Sequence, residues 1–142
     1  MQRFPDWPSR LDHYIAATRD LRFRWGEVDC CLWACGAVEA MTGIDPAMPL
    51  RGRYGDLDGA VGALYDFAGG GLLETVRALA ELHHKDELRS PLYAQRGDLV
   101  VARGPRGWPD GLGVCIGAAA AYLTPKGLRQ VPLRHAITAW RI

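Results

Sequence analysis

The apolar residues of this chain follow a helical period in its first half and a strand-like period in its second half. Residues that recur three and four positions apart lie on one face of a helix, and four helices are predicted on this basis. Their apolar stripes are Leu11, Tyr14, Ile15 and Thr18; Cys31, Ala34, Cys35 and Val38; Val61, Leu64, Tyr65 and Ala68; and Leu72, Val76, Leu79 and His83.

Polar residues mark the starts of three of these helices. Ser9 and Asp12 predict a capping box for the first helix. Asp29 is the predicted N-cap of the second helix, and the third is predicted to begin at Asp56. The second helix is apolar on almost every side, with Glu39 as its one charged residue. It is therefore predicted to be central and buried.

Short aliphatic runs in the second half predict an antiparallel sheet. The predicted strands cover residues 98–102, 112–117, 120–124, 128–131 and 137–142. A turn at Pro125-Lys126-Gly127 separates the third strand from the fourth, and a loop from Gly104 to Gly111 carries Trp108 at its tip. Because helices come first and strands follow, we predict one α+β domain over residues 1–142, with the helices packed on a small sheet.

The charge and hydropathy of the chain indicate which classes of binding partner are not expected. The chain has 17 basic and 16 acidic residues in mixed order, for a net charge of +1. This balance gives no electrostatic reason to expect nucleic acid or an anionic membrane as partner. The longest apolar run, residues 112–123, is too short and too rich in glycine to cross a bilayer. Residues 1–8 contain no apolar segment typical of a signal peptide, so we expect cytoplasmic synthesis and reduced cysteines.

The most informative segment runs from Trp25 to Cys35 and has the sequence Trp-Gly-Glu-Val-Asp-Cys-Cys-Leu-Trp-Ala-Cys. It places Cys30 where a loop becomes an apolar helix. The free N–H groups and the dipole of a helix N-terminus favour negative charge, so the pKa of the Cys30 thiol is expected to be lowered. Cys30 is therefore the candidate nucleophile.

A cysteine hydrolase also needs a base that forms the thiolate and an acid that protonates the leaving group. The chain has four histidines. His13 lies on the first predicted helix, and His83 and His84 end the fourth, where they can interact with the last carbonyls. His135 precedes the last strand and is the one candidate base for Cys30.

Three segments resemble the NlpC-type cell-wall peptidases, which have a papain-like fold. Residues 23–26, Phe-Arg-Trp-Gly, and 29–32, Asp-Cys-Cys-Leu, resemble that family's aromatic-glycine and Asp-Cys-Ser-Gly motifs. Residues 96–100, Arg-Gly-Asp-Leu-Val, resemble the strand that follows its helices. Residues 111–117, Gly-Leu-Gly-Val-Cys-Ile-Gly, align with its His-Val-Gly-Ile-Tyr-Leu-Gly. The resemblance covers most of residues 9–142 and implies a papain-like arrangement.

The chain departs from the family at the positions that carry the chemistry. The family's catalytic histidine aligns with Gly111, which has no side chain. Its oxyanion-supporting tyrosine aligns with Phe23, and its third polar residue aligns near residues 122–124. Only the thiol, Cys30, is kept. The resemblance therefore implies a catalytically degenerate member with a vestigial nucleophile.

The other cysteines allow a metal-binding hypothesis. Cys31 and Cys35 lie one helical turn apart, and Cys115 alternates onto the strand face that, in the family, looks toward this helix. With Cys30 they form a candidate cluster for zinc or an iron–sulfur centre. The spacing is not Cys-x-x-Cys, however, and buried free cysteine is often a small hydrophobe. The favoured interpretation is that the protein has no cofactor.

More closely, the chain resembles small phage- and prophage-encoded relatives with Trp-Gly, Asp-Cys-Cys and a terminal Ala-Trp-Arg, which are associated with the tail-tip gene cluster. The resemblance implies a structural or assembly component of the tail tip that binds other tail-tip proteins, such as a hub or fibre protein. It implies synthesis in the bacterial cytoplasm, with the virion tail as a further location. Two alternatives stay open: an active peptidase or amidase on peptidoglycan with a relocated base, and a cysteine-ligated metal protein.

Three residues are candidates for an interface. Trp108 lies in a loop rich in glycine and proline, and exposed tryptophan is favoured at interfaces. Arg51 and Arg53 lie in a second, basic loop that contains a glycine. We expect Trp108 to be exposed, and both loops are candidate contacts for a partner.

Overall fold

The computed structural model describes all of residues 1–142. Four α-helices precede five β-strands, which confirms the predicted α+β class. The helices are α1 (Trp7–Thr18), α2 (Cys30–Thr42), α3 (Leu57–Ala68) and α4 (Leu72–Leu82). The strands are β1 (Leu99–Ala102), β2 (Gly111–Cys115), β3 (Ala119–Thr124), β4 (Gly127–Pro132) and β5 (Ala136–Trp140). Two short 3₁₀-helices cover Pro91–Tyr93 and Leu133–His135.

The five strands form one antiparallel sheet in the spatial order β4-β3-β2-β1-β5. β1 pairs with β2 on one side and with β5 on the other. The β3–β4 hairpin turns through Pro125 and Lys126, with Thr124 paired to Gly127, as predicted. β4 is an edge strand, so one side of its backbone has no strand partner.

The helix that carries the candidate thiol, α2, is the central helix, as predicted. Nearly all of it is buried, and Glu39 is its one fully exposed residue. Asp29 is its N-cap, and Gly43 ends it in the left-handed conformation, with φ of 77°. None of the four helices is both long and apolar enough to cross a membrane.

The start of α1 differs from the prediction. The helix begins at Trp7, its N-cap is Asp6, and no side chain caps it. Pro8 lies in the first turn, where a missing N–H costs nothing. Ser9 and Asp12 therefore lie inside the helix and are exposed, so the predicted capping box is wrong.

The two faces of the sheet bury separate apolar clusters. The larger cluster contains Leu112 and Val114 of β2 together with residues of α1, α2 and α4. The smaller cluster lies on the other face. Its members are Val100, Ala102, Cys115, Ala120, Tyr122, Leu133 and Ala139. Because alternate residues of a strand point to opposite faces, the adjacent Val114 and Cys115 belong to different clusters.

A buried carboxylate, that of Asp98, joins both ends of the chain to the start of β1. Its Oδ1 accepts hydrogen bonds from Arg3 at 2.9 Å and from the backbone N–H of Ile142 at 3.3 Å. Its Oδ2 accepts from the N–H of Gln95 at 2.8 Å and lies 3.3 Å from Nε of Arg141. Because Ile142 turns toward this carboxylate, β5 ends before residue 142, its predicted end.

We expect the substitution Asp98→Ala to lower the free energy of unfolding by about 3 kcal/mol, because it leaves the mostly buried Arg3 without its partner. Urea denaturation followed by tryptophan fluorescence measures this change. Asp6→Ala removes the exposed ion pair with Arg10 and is the control, with a denaturation midpoint close to that of the wild type. Equal effects of the two substitutions would contradict the anchoring role of Asp98.

Candidate functional site

The candidate site begins at the carboxylate of Asp29, which is almost completely buried. Its Oδ1 accepts a hydrogen bond from the N–H of Leu32 at 3.0 Å, which caps α2. Its Oδ2 accepts from the N–H of Gly26 at 3.0 Å and from the hydroxyl of Tyr54 at 2.7 Å. One side chain therefore joins the turn before α2, the helix itself and the loop after it.

The glycine of the Trp-Gly motif is required by this turn. Gly26 has φ of 77°, a left-handed conformation that side chains disfavour. A Cβ at this position would lie 1.8 Å from the carbonyl oxygen of Tyr54. Gly26 thus lets the loop of Tyr54 approach the start of α2 closely enough for the Tyr54 hydroxyl to reach Asp29.

Cys30 is the first residue of α2 and lies partly exposed at a cleft. Burial, together with the neighbouring Cys31 and Asp29, raises the pKa of its thiol to about 12. The backbone N–H groups of Leu112 and Cys31 offset only part of this increase. The predicted lowering of the pKa is therefore wrong. Desolvation, together with the negative charge of the capping carboxylate, outweighs the helix dipole at this thiol.

No histidine lies beside the thiol. Gly111 of β2 lies near the thiol, and a Cβ at this glycine would lie 4.0 Å from Sγ of Cys30. The candidate base, His135, is exposed on the 3₁₀-helix between β4 and β5 and does not line the cleft. The structure therefore does not bring the predicted pair, Cys30 and His135, together.

The four cysteines do not converge. Cys31 and Cys35 are buried in the core, and a hydrogen bond between their thiols together with burial raises the pKa of Cys31. Cys115 lies in the other apolar cluster and donates to the carbonyl of Gly117 at 3.2 Å. The predicted cluster of Cys30, Cys31, Cys35 and Cys115 is wrong, because Cys115 points to the sheet face opposite α2. No three His, Cys, Asp or Glu side chains are grouped to hold a metal ion.

The cleft beside Cys30 has a volume of about 480 Å³. It lies at the end of the sheet where the β1–β2 loop approaches the β3–β4 hairpin. Its lining residues include Cys30, Gly111 and Tyr122, the aromatic side chains of Phe23 and Trp108, and the basic side chains of Arg103, Arg106, Lys126 and Arg129. No acidic residue lines it.

Tyr122 forms part of the lining of this cleft and is buried, with 5% of its surface exposed. Its ring lies against Gly113, where an added Cβ would come within 2.5 Å of the ring. A Cβ added at Gly111 would lie 3.6 Å from the same ring. Its hydroxyl has no hydrogen-bond partner. A buried hydroxyl without a partner carries a desolvation cost and is unusual in folded proteins.

The three candidate interface residues have different surroundings. Trp108 is 42% exposed, as predicted, and its ring centroid lies 6.2 Å from that of Trp25. Arg51 is partly buried and donates to Asp45 at 2.6 Å and to the carbonyl of Leu32 at 3.2 Å, which gives it a structural role. Arg53 is exposed but lies outside the cleft, and its role as a contact stays a prediction.

Sequence reasoning missed the basic residues of the cleft. Arg103 and Arg106 flank Trp108 in one loop, and Lys126 and Arg129 follow in the next hairpin. The interleaving of basic and aromatic residues in the first loop was a readable signal. No signal in the sequence indicated that the β1–β2 loop lies close to the β3–β4 hairpin, because this proximity depends on the pairing of β2 with β3.

The fold and the site together define a class of protein: an α+β protein with a thiol at the head of a buried central helix, facing one end of an antiparallel sheet. The chain belongs to a family described as a domain of unknown function, DUF6950, whose model matches residues 2–142. A search of curated proteins finds no match to this chain.

We expect Gly26→Ala to lower the free energy of unfolding by about 3 kcal/mol or more, because it combines a left-handed conformation with a steric clash. Gly52→Ala is the matched control. Gly52 has φ of 71°, yet a Cβ there would meet nothing within 4 Å, so only about 1–2 kcal/mol is expected. Thermal and urea denaturation measure both effects, and similar losses would show that Tyr54 does not constrain position 26.

We expect iodoacetamide to alkylate Cys30 about a hundredfold more slowly than free cysteine at pH 7, because the thiolate is the reacting form and the raised pKa keeps the thiol protonated. The rate should increase as the pH rises toward 12. Mass spectrometry with Cys30→Ser as control assigns the modified residue.

The variant Gly111→His tests the same geometry. An imidazolium beside the sulfur is expected to lower the thiol pKa and to speed alkylation at pH 7 by at least about tenfold. Rapid alkylation of the wild type at neutral pH would contradict the raised pKa.

Proposed function

We propose that this protein is a catalytically inactive relative of the NlpC-type papain-like peptidases and acts as a structural or assembly component of a phage or prophage tail tip. On this proposal the chain retains the helix, sheet and cleft of a thiol hydrolase and uses them to bind a partner protein. The sequence resemblance at residues 23–32, 96–100 and 111–117 supports the relationship.

The observation that carries the proposal is the geometry around Cys30. Gly111 aligns in sequence with the family's catalytic histidine, and a Cβ at this glycine would lie 4.0 Å from Sγ of Cys30. A histidine at that position would thus stand beside the thiol, as a nucleophile and its base must. Position 111 of this chain therefore lies near the thiol but carries no imidazole. With a thiol pKa near 12, little thiolate forms at neutral pH, and no histidine lines the cleft to protonate the leaving group.

The assignment to a tail tip rests on the resemblance to phage-encoded relatives and on their motif at residues 139–141, Ala-Trp-Arg. In this chain those residues have a structural use. Trp140 is buried in the core, and Arg141 pairs with Asp98. The partners proposed are the neighbouring tail-tip proteins, and the candidate surface is the cleft with Trp108 at its rim.

The alternative of an active hydrolase with a relocated base has less support. His135, the candidate base, is exposed and does not line the cleft. The remaining histidines, His13, His83 and His84, also lie outside the cleft. An active enzyme would therefore need a base from a partner.

A complementation experiment tests the proposal. In a phage or prophage that encodes this chain, deletion of its gene is expected to prevent the formation of complete tails, as seen by electron microscopy. The Cys30→Ala variant is expected to restore tails as well as the wild type does, because the thiol has no chemical role. Asp29→Ala, which removes the helix cap and the Tyr54 contact, is a control that should reduce rescue through lost stability.

The same purified proteins are assayed for cleavage of peptidoglycan stem peptides by mass spectrometry. No cleavage is expected from the wild type or from Cys30→Ala. Cleavage by the wild type that Cys30→Ala abolishes, or rescue of tails only by a protein with the thiol, would overturn the proposal.

A further inference from the structure

Four basic side chains converge on the cleft from two different connections. Arg103 and Arg106 come from the β1–β2 loop, and Lys126 and Arg129 come from the β3–β4 hairpin. The whole chain has a net charge of only +1, so this is a local concentration of positive charge. A cleft lined by one sign of charge focuses the electrostatic field and attracts ligands of the opposite sign.

These four cations have no partner within the chain. Seven other arginines, among them Arg51 and Arg141, form ion pairs with carboxylates. Arg103, Arg106, Lys126 and Arg129 form none, and no acidic side chain lines the cleft. Like charges that share a cleft repel one another, and an anionic ligand would relieve this repulsion.

The cleft also offers apolar and polar recognition. Phe23 and Trp108 provide aromatic surface, and prolines 105, 109 and 125 add rigid apolar walls. Tyr122 also lines the cleft, and its buried hydroxyl has no hydrogen-bond partner. A mostly apolar groove with a few polar groups is typical of a binding site.

We infer that this cleft binds an acidic, extended segment of a partner protein, with an aromatic or aliphatic side chain of that segment packed against the aromatic surface that Phe23 and Trp108 give the cleft. The carboxylates of the segment pair with Arg103 and Arg106 on one connection and with Lys126 and Arg129 on the other. The inference rests on the proposed function in one respect: the cleft is used for binding and not for turnover.

A polypeptide fits this arrangement better than a small anion does. The positive charges come from two separate connections, and aromatic surface lies in the same cleft. An extended peptide with several carboxylates and one apolar side chain has a matching distribution of charged and apolar groups. β4, which contributes Arg129 to the cleft, is an edge strand. Its free backbone groups are available for main-chain hydrogen bonds of the kind that extended peptides form with sheet edges.

The test uses a short fluorescein-labelled peptide of glutamates around one central phenylalanine, with the corresponding lysine peptide as its charge-reversed counterpart. Fluorescence anisotropy with the full-length protein is expected to show saturable binding of the glutamate peptide, weakened by added salt. The double variant Arg103→Glu/Arg129→Glu is expected to weaken binding by about tenfold or more.

A matched double variant distinguishes the effect of charges in the cleft from the effect of net charge. Arg89→Glu/Arg134→Glu changes the net charge equally at two exposed arginines outside the cleft and is expected to leave the affinity unchanged. Circular dichroism establishes that both variants are folded. A third variant, Trp108→Ala, is expected to weaken binding without any change in charge.

Several results would overturn the inference. These are no saturable binding of the glutamate peptide, equal binding of the lysine peptide, or equal weakening by the two double variants. Displacement of the peptide by a lower concentration of oligothymidylate or of a peptidoglycan stem peptide would instead assign the cleft to that ligand.

The outcomes also separate this inference from the proposed function. If the peptide binds and is then cleaved by a Cys30-dependent reaction, the proposed function fails while the charge preference of the cleft stands. If the peptide does not bind but Cys30→Ala still restores tails, only this inference fails.

Discussion

The buried carboxylate of Asp29 is the interaction on which the candidate site depends. It caps α2 and accepts hydrogen bonds from the N–H of Gly26 and from the hydroxyl of Tyr54. Three segments of the chain therefore meet at one charged group. A buried carboxylate is stable only when its oxygens are satisfied, and here both accept hydrogen bonds. The close approach also requires glycine at position 26. The Trp-Gly and Asp-Cys motifs are therefore one structural unit that starts the central helix.

The same unit explains why the thiol is not activated. A helix N-terminus favours an anion, but here Asp29 already supplies one and uses the N–H of Leu32. The apolar surroundings then raise the pKa of Cys30, and Gly111 leaves no imidazole to counter this effect. The helix N-terminus by itself therefore does not lower the pKa of this thiol, and no positive side chain is among the groups that shift it.

The cleft has a different electrostatic character from the thiol. Its rim carries four unpaired cations, while the site around Cys30 carries the negative charge of Asp29. An anionic ligand is therefore favoured at the rim and disfavoured close to the sulfur. The buried carboxylate of Asp98, just before β1, joins the sheet to both ends of the chain through its ion pair with Arg3 and its hydrogen bond from the N–H of Ile142.

The sequence by itself determined the α+β class, the burial of α2, its N-cap at Asp29, the hairpin at Pro125 and Lys126, and the exposure of Trp108. These features depend on local periodicity, on capping and on turn-forming residues, which act over a few positions. The start of α1 was misplaced because Asp6 precedes the helix without a side-chain hydrogen bond, so its local signal is weak. Only the tertiary structure decided the pKa of Cys30, the separation of Cys115 from the other thiols, the position of His135 outside the cleft lining and the convergence of four cations. Those outcomes depend on strand order, on which face each side chain occupies and on desolvation, and all three arise from contacts between residues far apart in the chain.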